Sequence, residues 1–149
     1  MNKAKNKTRK NKKGGQMNLM KIIYPSFSLK NTNTISTIEE TTSEPMIILP
    51  KLGLLTLIMH DPDSSQASWL HYLVVNIPNG NILKGNVLVD YNGPSPPPGS
   101  GIHRYIFEVY SQSEKIPTIK VERSRFSPLN FANEYNLKFI KKQMFKVNS

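Results

Sequence analysis

The chain has 149 residues, a formal charge of +10 and no cysteine. That length suits one domain whose core needs no covalent staples, and the missing thiols exclude both a disulfide framework and a zinc–thiolate centre. The charge is uneven: Lys3, Lys5, Lys7, Arg9, Lys10, Lys12 and Lys13 put +7 into the first 13 residues and leave +3 for everything after them, so the basic character belongs to a tail and not to a nucleic-acid-binding body.

Residues 1–16, rich in Lys and Asn and closed by Gly14-Gly15, have almost no apolar side chains to pack and are expected to be disordered, with the folded domain occupying 17–149. The N-terminus has no apolar core of the kind a secretory signal needs. The longest apolar run, Leu52 to Met59, is broken by Gly53 and Thr56 and falls far short of the roughly 20 residues of a membrane helix. A cytoplasmic protein is the expectation, with the basic tail leaving the nucleus open.

Ile22 to Leu29 predicts an edge strand broken at Pro25, the Thr/Asn/Ser-rich run 31–37 predicts turns and exposed strand, and Met46 to Leu49 a further short strand. Leu54 to Met59 is apolar on both faces, the pattern of a central strand, and it runs into His60-Asp61-Pro62-Asp63. An Asp pair at a strand end can cap its own turn or project a carboxylate over a pocket.

Trp69 to Ile77 is the clearest strand, and strict alternation places Trp69 and His71 on one face with Leu73, Val75 and Ile77. Pro78-Asn79-Gly80-Asn81 predicts a turn and Ile82 to Val89 a strand around Gly85. Residues 90–101 carry four prolines and three glycines, too stiff for a sheet interior and open to close backbone approach. From Ile102 to Tyr110 alternation sets His103, Tyr105, Phe107 and Val109 on one side and Ile102, Arg104, Ile106, Glu108 and Tyr110 on the other. Lys115 to Arg125 is expected to be exposed. Ser127-Pro128 predicts the start of a short helix to about Tyr135, with Leu129, Ala132 and Tyr135 on its apolar face, and Leu137 to Val147 a last strand.

Asp61, His71 and His103 stand at three strand ends, with Trp69 and Tyr105 beside the two histidines. One carboxylate and two imidazoles suit a metal, but the local His spacing of common metal motifs is missing. A Ser/His/Asp hydrolase needs a nucleophile on a strained turn, and Gly99-Ser100-Gly101 is too short for the Gly-x-Ser-x-Gly elbow. An anion pocket accounts for more of the residues. Imidazole N–H groups, a tyrosine hydroxyl and the amides of a Gly-rich loop all donate to phosphate oxygens, and a carboxylate among them favours a zwitterionic or protonated phosphoryl group. Phosphate loops and dinucleotide fingerprints are absent, so no cofactor is expected.

Several blocks, in order and at the right spacing, resemble the phosphatidylethanolamine-binding protein family. Asp61-Pro62-Asp63 resembles the start of its Asp-Pro-Asp-x-Pro motif, Trp69 to Ile77 its Trp-x-His strand, Tyr91 to Gly101 its Pro/Gly loop and Gly101 to Phe107 its second signature. The resemblance implies a mainly β fold, a two-sheet antiparallel β-sandwich with a short C-terminal helix. It implies an anion pocket at Asp61, Trp69, His71, Pro96, His103 and Tyr105. It also implies a non-enzymatic regulator, expected to be a monomer, that binds a phosphorylated small molecule or phospholipid head group, or a protein partner such as a kinase, a protease or a transcription assembly. A hydrolase or metal-dependent enzyme using the same Asp/His set is the alternative, and a tail-driven nucleic-acid binder a third reading. The chain departs from the pattern at Ser64-Ser65, where Ala-Pro is expected, at Leu70, where a second histidine is common, and at Ser111, which replaces a frequent Glu. The loop 64–68 is short and no segment corresponds to the C-terminal helix of the animal members, which implies a more open pocket.

Overall fold

A computed structural model describes residues 19–31 and 33–149; the expected basic tail lies outside the described residues. Among the described residues eight strands and one α-helix follow in order: β1 (Lys21–Ile23), β2 (Ile35–Ser36), β3 (Met46–Ile48), β4 (Leu54–Asp61), β5 (Trp69–Pro78), β6 (Asn86–Val89), β7 (Ile102–Gln112), α1 (Pro128–Glu134) and β8 (Lys138–Asn148). They form a six-stranded sheet in the order β2-β8-β7-β4-β5-β6 and a two-stranded sheet of β1 and β3. Every pairing is antiparallel except β2 with β8, which is parallel, so the expected antiparallel sheet carries one parallel edge.

The large sheet buries both faces, which is why β4 reads as apolar throughout. On one face the small sheet contributes Ile22 and Ile47 to a core with Leu55, Leu57 and Met59 of β4, Val74 and Ile77 of β5, Tyr105, Phe107 and Val109 of β7, and Phe145 and Val147 of β8. On the other face Ile58, Leu70, Leu73, Val75 and Tyr110 pack against Ile116, Phe126, Phe131 and Ala132 from the segment 113–127 and α1. The helix starts where expected: Ser127 accepts a hydrogen bond from the Asn130 amide at 3.1 Å, and Pro128 occupies the first turn. Its buried residues are Phe131 and Ala132, whereas Leu129, expected on the apolar face, is exposed.

Two other expectations are corrected. Residues 82–84 form a single 3-10 turn, so β6 begins only at Asn86. The segment 115–125 is mostly exposed, as expected, but it also covers the second core: Ile116 is buried, and the Arg123 guanidinium donates to the Leu70 and Asp90 carbonyls. Phe139, at the start of β8, is exposed and stacks edge-on against Tyr110.

The second correction concerns β5. Met59 pairs with Tyr72 but His60 pairs with Leu70, so His71 is an extra residue in the strand. A second bulge sets Val75 and Asn76 opposite Thr56, with Asn76 at φ 56°. Between the two bulges the side-chain alternation is inverted. Trp69, His71 and Ile77 therefore do not share a face with Leu73 and Val75, which belong to the second core. A buried network closes the second bulge: the Gln112 side chain accepts from Thr56 Oγ1 and the Asn76 amide, and Asn76 Nδ2 donates to the Ile116 carbonyl.

Candidate anion-binding site

The end of β4 aims Asp61 across the sheet edge toward the start of β7. His103 Nδ1 lies 2.7 Å from Asp61 Oδ2, and both side chains are about 5% exposed. An ionised carboxylate only accepts, so Nδ1 carries the proton. The other oxygen, Oδ1, accepts from the Asp63 amide at 2.8 Å. Asp61 thus caps its own turn and faces the pocket at once; the two readings of the Asp-Pro-Asp turn coexist.

Asp63 itself turns outward. Its carboxylate accepts from the Arg104 backbone amide, Nε and Nη2, each at 2.9 Å. The Arg104 guanidinium holds the Asp63 carboxyl below its usual range, against partial desolvation. Arg104 points away from His103 and Tyr105, as alternation requires, and clamps the loop after β4 to β7.

The bulge in β5 places His71 beside this pair. His71 Nδ1 lies 2.5 Å from the Asn92 carbonyl, and the Asn92 amide donates back to the His71 carbonyl at 2.8 Å. The Pro/Gly loop is therefore laced to β5 like a short extra strand, and Nε2 is the His71 ring nitrogen left for a ligand. Burial lowers the His71 pKa; the bond to Asn92 and the nearby Asp61 charge oppose this without reversing it. Tyr105 sits between the two imidazoles, edge-on to His71 with centroids 5.1 Å apart and stacked near His103 at 6.5 Å. Phe145 backs it from β8 at 5.4 Å. Burial and the Asp61 carboxylate both raise the Tyr105 phenol, keeping it a neutral donor.

All six residues read from the sequence, Asp61, Trp69, His71, Pro96, His103 and Tyr105, line one cleft of about 280 Å³. Ser64, Ser65, Gln66, Asn92, Gly93, Ser95 and Pro97 complete its walls. Loop residues of this kind carry no periodic pattern: Ser64-Ser65 stood out only as a departure from the motif, and Asn92 and Ser95 only as members of the Pro/Gly loop. Ser100, set aside in the sequence reading, has its Oγ 2.8 Å from His103 Nε2; a serine three residues before a strand histidine was the only available sign. The metal reading fares differently. Among the described residues no group of three or more His, Cys, Asp or Glu is arranged to hold an ion, and three of the four imidazole nitrogens are turned onto protein partners.

A two-sheet β protein with a small polar cleft at one end of its large sheet is the class that fold and site define. Residues 14–147 match the model of the phosphatidylethanolamine-binding protein family, and the chain belongs to that family. It is 35% identical over 132 residues to putative odorant-binding protein A5 of Drosophila melanogaster, an alignment covering 73% of this chain but 63% of that protein; the chain spans less than two thirds of that relative's length. The fold is similar to that of a carboxypeptidase Y inhibitor solved in complex with its cognate proteinase, with a TM-score of 0.75 at 22% identity over 87% of this chain and 82% of that one. It is likewise similar to the phosphatidylethanolamine-binding protein of Plasmodium vivax, with a TM-score of 0.69 at 21% identity over 86% and 83%. No helix among the described residues is long and apolar enough to cross a membrane.

Proposed function

We propose that this chain is a regulatory binding protein whose cleft takes a phosphorylated head group or phosphoryl-bearing partner, and which acts by occupancy without turnover. The observation that carries the reading is the convergence on one cleft of Asp61, His71 and His103, each fixed by its own hydrogen bonds, and of Tyr105, held by ring contacts. Polar groups already fixed in this way offer a phosphoryl group a site that needs little reorganisation on binding. The His71 ring, held neutral by burial, presents Nε2 as an acceptor, which suits a protonated phosphoryl oxygen or an ammonium group on the ligand. The Asp61 carboxylate supports the same preference for a zwitterion over a dianion.

Size supports a head group in place of a whole lipid. A cleft of about 280 Å³ lies just below the range of roughly 300–1,000 Å³ that encloses drug-sized ligands, which leaves little room for acyl chains. A protein partner such as a protease or kinase belongs to the same proposal, since a surface cleft this small is readily occupied by one side chain. In heteronuclear NMR, millimolar phosphorylethanolamine, inorganic phosphate or phosphotyrosine should shift the ring resonances of His71 and His103. If none of the three moves either ring, the anion-pocket reading is wrong.

A further inference from the structure

We propose that Ser100 is an activated nucleophile at the mouth of the cleft, able to take an acyl or phosphonyl group from an electrophilic ester, with His103 as its base and Asp61 orienting that base. The inference goes beyond ligand binding and does not depend on which ligand the cleft prefers. It rests on a continuous chain of contacts: Asp61 Oδ2 to His103 Nδ1 at 2.7 Å, and His103 Nε2 to Ser100 Oγ at 2.8 Å. A hydroxyl on an imidazole that is itself held by a buried carboxylate is the arrangement that activates serine on unrelated folds. With Nδ1 committed to Asp61, Nε2 is the ring nitrogen that faces Ser100.

The local backbone presents the hydroxyl outward. Gly99 and Gly101 flank Ser100 at φ +79° and +85°, a conformation L side chains rarely adopt, so the chain turns sharply on both sides of the serine. Beyond its chain neighbours, neither glycine has a heavy atom within 4 Å of where a Cβ would sit, and Ser100 is exposed. An ester can therefore approach Oγ from the open side while His103 stays buried beneath it.

In the step itself Oγ attacks the carbonyl carbon or phosphorus, its proton passes to Nε2, and the leaving group departs with that proton. With a phosphonofluoridate the Oγ–P bond forms, the P–F bond breaks, and the products are phosphonylated Ser100 and hydrogen fluoride. Two features confine the chemistry to a single capture. The amides of Ser100 and Gly101, the nearest candidates to stabilise an oxyanion, are already bonded to the Pro97 carbonyl at 3.0 Å and to Ser149 Oγ at 2.9 Å. The Pro97 carbonyl, 2.6 Å from Oγ, also competes with Nε2 for the hydroxyl proton.

The test is to incubate the full chain with a fluorophosphonate probe and follow intact mass and peptide maps over time. One adduct per chain on Ser100 is expected, none on Ser100→Ala, and labelling slowed by about 10²-fold in His103→Gln. The rate in the wild type should rise with pH, and His103→Gln should abolish that dependence. Absence of an adduct on native protein, adducts spread over Ser64 and Ser65, or an equal rate in urea-unfolded chain would each overturn the proposal. Titrating Ser100→Ala with phosphorylethanolamine separates the two ideas: His71 ring shifts retained in this variant leave the binding pocket intact even where the nucleophile fails.

Discussion

Two histidine–carboxylate contacts lie back to back on the large sheet, and they are built differently. Adjacent residues of β4, His60 and Asp61, point to opposite faces, and each meets a partner on β7. On the cleft face Asp61 and His103 meet at 2.7 Å, and the Asp63 amide and Ser100 hydroxyl hold their remaining sides. On the far face His60 Nε2 stands 3.5 Å from Glu108 Oε1, and neither of its buried ring nitrogens has a hydrogen-bond partner. Burial would push the Glu108 carboxyl up, yet the His60 ring and the Tyr110 hydroxyl at 2.6 Å together lower it. Burial and charge are therefore shared by both pairs. What separates them is completed hydrogen bonding, which fixes the atoms of the cleft in the orientation a ligand meets.

The largest expected effect breaks the cleft pair. Asp61→Ala leaves the buried His103 Nδ1 and the Asp63 amide without acceptors and should cost about 3–5 kcal/mol in chemical denaturation. Glu108→Ala, which removes a long ionic contact and one tyrosine hydrogen bond, should cost about 1–2 kcal/mol. Equal losses would show that the two faces hold their histidines equally well.

How far the sequence revealed this contrast depends on the strand. On β7 alternation is unbroken from Ile102 to Val109, so His103 and Tyr105 were correctly set on the cleft side and Arg104 and Glu108 opposite them. On β5 it failed, because bulges at His71 and Asn76 insert residues that no periodic template can register. Asn76 was the visible clue: an asparagine within a β-branched run is suited to a left-handed backbone. The six cleft residues were legible through motif order and not through geometry. Ser64, Ser65, Gln66 and Ser100 reach the site from loops, whose course no local pattern encodes.

Acidity should act on the cleft before it acts on the outer clamp. A histidine whose folded pKa is depressed binds fewer protons folded than unfolded, so stability rises with pH across the interval between the folded value and the unfolded value of about 6.5. His71 therefore contributes no penalty above that interval and a growing one as pH falls through it. Asp63 has the opposite chemistry: its lowered carboxyl supplies stability above about 3.9 that disappears only in stronger acid. Thermal melts from pH 7.5 to 5.5 should fall more steeply for the wild type than for His71→Gln. Parallel curves would remove His71 as the cause.

His60→Leu sharpens the comparison from the other side. It exchanges two unpartnered buried nitrogens for apolar atoms of similar volume next to Leu70 and Ile106, the residues His60 faces in the sheet. Such a replacement should be neutral or stabilising by up to about 1 kcal/mol. A clear loss would mean that the His60–Glu108 contact is worth more than its 3.5 Å separation implies.

The smallest effect belongs to Arg104. Its guanidinium makes a forked contact with Asp63, but the two side chains are 47% and 29% exposed, and solvent-screened pairs of this kind contribute under about 1 kcal/mol. Arg104→Ala keeps its own amide bond to Asp63, so the turn after β4 retains one tether. The variant should therefore melt within a few degrees of the wild type and still show His71 and His103 shifts with phosphorylethanolamine. Loss of those shifts with the fold intact would place Arg104 in the recognition of the ligand and would end the division, drawn here from side-chain direction, between a cleft that binds and a clamp that only holds its rim.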